Sequence, residues 1–125
     1  TMIDWSSIRH FAESEFACLC GQCPGSMDET LVRELDEVRA IYGHPIIITS
    51  GLRCPARNAA VGGASDSAHL TGQAADVRWS ESGMRSLLSA ALGRREIGRI
   101  EIAPRHLHLE HRPERPARVL GGRSW

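Results

Sequence analysis

The sequence holds no run of apolar residues near the ~20 needed to cross a bilayer, which excludes a membrane-spanning helix. It has no excess of charge either. Lysine plus arginine and aspartate plus glutamate each total 15, for a formal net charge of zero, so no general attraction to nucleic acid or to an anionic membrane is implied. The first residues, TMIDWSSIRH, lack the basic-then-apolar form of a secretory signal. Internal repeats and low-complexity segments are missing as well. At 125 residues there is room for one core but not two, so one domain, 1–125, with one site and no interdomain cleft is expected. Arg112, Arg115, Arg118 and Arg123 crowd the end of the chain, which reads as a flexible, solvated tail.

What is present alternates between helix and strand patterns. SMDETLVRELDEVRAIYGHP predicts a helix with marked ends, Ser26 and Glu29 at capping-box spacing and Gly43 with Pro45 as the stop. Leu31, Leu35, Val38 and Tyr42 form its apolar stripe. PIIITS, Pro45 to Ser50, predicts a buried strand, and PARNAAV a short helix with proline in its first turn, ended by Gly62 and Gly63. Ala74 to Trp79 reads as another strand. Met84, Leu87, Leu88, Ala91 and Leu92 give a second amphipathic helix closed by Gly93. IGRIEIAPRHLHLEH adds two strands broken near Pro104. The expected fold class is α+β, a small antiparallel sheet flanked by helices.

Chemistry concentrates in two segments. In RHLHLEH, Arg105 to His111, strand alternation puts Leu107 and Leu109 on one face and His106, His108 and Glu110 on the other. Three ionisable groups on one strand face are costly to bury without a purpose, and a metal supplies one. Upstream, SAHLTGQAAD places His69 and Asp76 seven residues apart across a turn. A catalytic zinc takes three protein ligands and keeps one position open, a count that His69, Asp76 and one of His106 and His108 would meet. Of the six histidines, His10 and His44 look incidental.

SAHLTGQAAD also resembles the Ser-x-His-x-x-Gly-x-Ala-x-Asp signature of the zinc D-Ala-D-Ala carboxypeptidase and L-Ala-D-Glu endopeptidase family, which includes phage endolysins. All five defined positions match, as Ser67, His69, Gly72, Ala74 and Asp76. HLHLE is similar to the His-x-His element of the wider superfamily that joins lysostaphin-type peptidases, D-Ala-D-Ala peptidases and the hedgehog domain. Ser50, Gly51 and Arg53 match the Ser-Gly-x-Arg segment that precedes the signature. The resemblance implies that His69, Asp76 and His108 ligate zinc, that Arg53 and Ser67 contact substrate, and that His106 is the catalytic histidine beside the metal. Many members carry an acid three residues before the last zinc histidine, where this chain has Arg105. His106 is then the favoured proton carrier, Glu110 is held in reserve and Glu101 is a further carboxylate. The implied activity is hydrolysis of peptidoglycan stem or cross-link peptides by metal-activated water; the alternative is a hedgehog-like zinc-containing binding domain that cuts no bond. Peptidoglycan peptides are the expected partners of a monomer that binds no nucleic acid and inserts in no membrane. Synthesis in the cytoplasm and phage-type release to the bacterial cell wall are the expected route.

The cysteines pose a separate question. Cys18, Cys20 and Cys23 lie in CLCGQC and Cys54 follows Arg53, without the paired Cys-x-x-Cys arrangement usual for structural zinc. Cysteine-rich N-terminal stretches are similar in phage-type relatives. A second, structural metal held by all four is one reading; disulfides and reduced thiols are the others.

Overall fold

The computed structural model describes residues 2–21 and 25–121. Its first long element is α1, Glu29–Tyr42, whose N-terminal cap is Asp28: the carboxylate accepts a hydrogen bond from the Leu31 amide at 3.0 Å. Ser26 therefore does not cap the helix. The backbone of residues 26–28 is engaged elsewhere, packed against the Gly72 turn, with the Asp28 amide donating to the Gly72 carbonyl at 2.9 Å. Gly43 ends the helix in the left-handed region, φ 82°, which costs glycine no Cβ clash. Leu31, Leu35 and Val38 are fully buried, as their spacing predicts, and Tyr42 is half-buried.

Three further segments follow the sequence pattern closely. α2 spans Pro55–Ala60, α3 spans Met84–Leu92 and β2 spans Ala74–Arg78. The strand expected at 45–50 is only Ile48–Ser50, here β1, because the preceding residues lead into the sheet with Ile46 buried and Ile47 exposed. In α3 the buried face is Leu87, Ala90 and Ala91, while Leu92 at its end is exposed. β3, Arg99–Ile102, and β4, His106–Glu110, flank the Pro104 break.

The fold is α+β with a five-stranded sheet in the order β1-β2-β4-β3-β5. The pairs among the first four strands are antiparallel, as expected. The last strand is a correction: β5, Arg118–Gly121, pairs parallel with β3, so the sheet is mixed. Part of the expected solvated tail is thus an edge strand; Arg123 lies outside the described residues. Residues 111–117 carry the chain from the end of β4 past the start of β3, where the Arg118 amide donates to the Gly98 carbonyl at 3.0 Å.

One sheet face carries Ala75, Val77, Ile100, Leu107 and Leu109, buried in one core with Leu31, Leu35, Val38 and Leu87 of the helices. Period-two alternation then forces Asp76, His106, His108, Glu110 and Glu101 to the other face. Among the described residues no helix is long and apolar enough to cross a membrane.

Candidate metal centre

His69 reaches the polar sheet face from a single 3-10 turn, Ala68–Thr71. Ser67 caps that turn, its hydroxyl accepting from the His69 amide at 3.2 Å, and Gly72 closes it at φ 72°. A Cβ on Gly72 would also collide with the Ser26 carbonyl, so the glycine is required twice over. The turn lets β2 start at Ala74 and brings Asp76, on the central part of β2, opposite His108 of β4. One nitrogen of His69, one oxygen of Asp76 and one nitrogen of His108 lie within 4.8 Å of one another, and all three residues are buried.

The far side of each imidazole decides what the near side offers. His69 Nδ1 sits 2.7 Å from the Gly51 carbonyl, which can only accept, so the proton is on Nδ1 and the Nε2 lone pair faces Asp76 Oδ1 at 3.2 Å. His108 Nε2 donates to Glu110 Oε1 at 2.8 Å, leaving Nδ1 directed at the same Asp76 oxygen at 2.9 Å. Two lone pairs and a carboxylate oxygen within contact distance repel unless a cation lies among them. Two imidazoles and a carboxylate, each ring held from behind by an acceptor, form a donor set suited to a divalent metal.

Without a metal a proton plays that part. Burial opposes charge on His108, but its hydrogen bonds to Asp76 and Glu110 outweigh that and push its pKa up to about 9. Burial likewise disfavours the Asp76 carboxylate, yet the hydrogen bond from His108 and the charge on that ring hold its pKa well below the usual carboxylate range. Glu110 is also lowered: burial opposes its charge and the His108 hydrogen bond overcomes it.

The second Asp76 oxygen, Oδ2, faces Arg53 Nη2 at 3.5 Å and His106 Nε2 at 3.8 Å. Arg53 is buried and braced by Ser50 Oγ at 3.1 Å and Asn58 Oδ1 at 3.3 Å. The sequence reading thus placed Arg53 beside the site, but not the Asn58 brace, which no motif announces. His106 is half-buried, and burial pushes its pKa below 6.5. Among the described residues its Nε2 and Glu110 Oε2 are buried atoms with no hydrogen-bond partner.

Beside the cluster lies a cavity of about 350 Å³, lined by Arg53, Ser67, His69, His108, Glu110, Glu101, Arg99 and Arg115 among others. Glu101 pairs with Arg99 at 2.9 Å on this wall. Arg115 closes the rim, bonded to the Asp66 carboxylate and carbonyl, both at 3.0 Å. His106 borders a separate hollow with Thr49, Arg78, Trp79 and Arg105. His10 and His44 are exposed, and His111 is turned to the Glu96 carbonyl at 2.7 Å. A second group with metal-ligand spacing joins Cys18, Cys20 and Cys54; Cys23 lies outside the described residues.

No curated protein matches the chain. The model of the Peptidase M15 family matches residues 9–110, and the chain belongs to that family of metallopeptidases.

Proposed function

We propose that the protein is a zinc peptidase that hydrolyses peptidoglycan stem or cross-link peptides, as a D-Ala-D-Ala carboxypeptidase or an L-Ala-D-Glu endopeptidase. The observation that carries this reading is the convergence of His69 Nε2, Asp76 Oδ1 and His108 Nδ1 beside a cavity that Arg53 also lines. These three atoms would hold the zinc, which when bound polarises the scissile carbonyl and lowers the pKa of the attacking water.

The remaining steps belong to the chain. Arg53, pinned by Ser50, Asn58 and Asp76, keeps further N–H groups for a substrate carbonyl or carboxylate oxygen. His106 is the proton carrier: burial favours its neutral form, and among the described residues its Nε2 has no hydrogen bond to give up before taking a proton. Glu110 is a positioning residue, since its Oε1 holds the His108 ring from behind. Ser67 shapes the cavity wall through its cap on the His69 turn.

Digestion of purified peptidoglycan by the zinc-loaded protein tests the reading and separates its two forms. Released D-Ala identifies a carboxypeptidase, and new amino termini without D-Ala an endopeptidase. Neither product from fully loaded protein overturns the proposal and leaves a binding domain.

A further inference from the structure

We propose that Cys18, Cys20 and Cys54 form a second metal site, for a thiophilic divalent ion such as zinc, that staples the N-terminal segment to the loop bearing Gly51 and Arg53. The Cys18 and Cys54 sulfurs are 3.9 Å apart and those of Cys54 and Cys20 3.8 Å, and all three lie within 4.8 Å of one another. A disulfide would bring a pair to about 2.05 Å. Tetrahedral thiolates around zinc, with Zn–S bonds of about 2.3 Å, put sulfurs about 3.8 Å apart. Both spacings are too long for a disulfide and match those of thiolates sharing an ion.

The sulfurs come from segments more than thirty residues apart in sequence, 18–20 and 54. Cys54 precedes α2 but makes no side-chain cap bond to it, so its sulfur is not spent on the helix. Three soft donors with no carboxylate or imidazole among them select zinc-like ions over magnesium or calcium. Cys23 lies outside the described residues, and the three named sulfurs carry the proposal.

The staple has a consequence for the first centre. The Leu52 amide donates to the Phe16 carbonyl at 2.9 Å, and Gly51 lies so close that an added Cβ would stand 2.6 Å from that oxygen. This is the loop whose Gly51 carbonyl fixes the His69 tautomer and whose Arg53 touches Asp76. An ion between Cys18, Cys20 and Cys54 ties down both ends of that contact. The effect on hydrolysis rests on the peptidase reading; the site itself does not.

Cadmium titration of the reduced, metal-free protein tests it, because thiolates give an ultraviolet charge-transfer band with cadmium and histidine or aspartate ligands do not. The wild type is expected to develop the band to saturation at about one equivalent of thiolate-bound ion. His69→Ala should retain it, whether or not that variant hydrolyses anything. Cys54→Ser and Cys20→Ser, the latter at an exposed position, should saturate only with excess cadmium. Absence of the band from reduced wild-type protein overturns the proposal, as does an unchanged titration in either cysteine variant whose circular dichroism is native.

Discussion

At the scale of single residues, the centre is organised by what lies behind each donor. Gly51 and Glu110 set which nitrogen of His69 and of His108 faces Asp76. Glu110→Gln should therefore weaken metal affinity about 10- to 100-fold by competition with a chelator, while leaving the three donors in place. His106→Ala should abolish turnover with bound metal unchanged by elemental analysis; retained hydrolysis would remove it from the mechanism. The metal-free protein carries a pH signature. His108 goes from 6.5 unfolded to about 9 folded, so its contribution to stability is complete below pH 6.5 and is lost as pH rises through 9. Asp76 works the other way, contributing above 3.8 and losing that contribution as pH falls through its lowered folded value. In chelator, the melting temperature of the wild type should fall from pH 6.5 to 9 more steeply than that of His108→Gln; equal slopes would contradict the pairing. The candidate donors were legible in part: alternation in HLHLE puts His106 and His108 on one face and SAHLTGQAAD offers His69 and Asp76, but the choice of His108 over His106 came from the family resemblance and not from the spacing. The backbone acceptor on Gly51 and the Asn58 brace were not, since both depend on contacts between segments that sequence spacing does not encode.

At the scale of elements, the same alternation that turns Asp76 and His108 toward the cavity side of the sheet buries Leu107 and Leu109 against the helices. Leu107→Ala should cost about 2–5 kcal/mol in denaturant unfolding, the range for a core leucine replaced by alanine. A loss below 1 kcal/mol would mean that β4 is not the central, buried strand described. Helices and core strands were legible because their apolar periodicity is strong. Two elements were not. Asp28 took the cap expected of Ser26 because the Ser26 backbone packs on the Gly72 turn. Arg118–Gly121 has neither an apolar alternation nor a β-branched run, and it becomes a strand only through its pairing with β3.

At the scale of the whole molecule, one sheet divides the labour: its apolar face makes the core with α1 and α3, and its polar face carries Asp76 and His108, met there by His69, beside a cavity rimmed by Arg115 and Asp66. By its sequence Arg115 belongs to an arginine-rich tail, and only the passage of residues 111–117 past β3 brings it to the rim. The central claim is that His69, Asp76 and His108 hold the ion on which peptide hydrolysis depends. The most direct test strips the protein with chelator, restores zinc stepwise, and follows new amino termini or D-Ala from purified peptidoglycan against zinc bound, in wild type and Asp76→Ala. Hydrolysis is predicted to rise in proportion to zinc bound in the wild type and to be lost in Asp76→Ala. Full occupancy of the wild-type site with no product, or equal hydrolysis by Asp76→Ala, would contradict it.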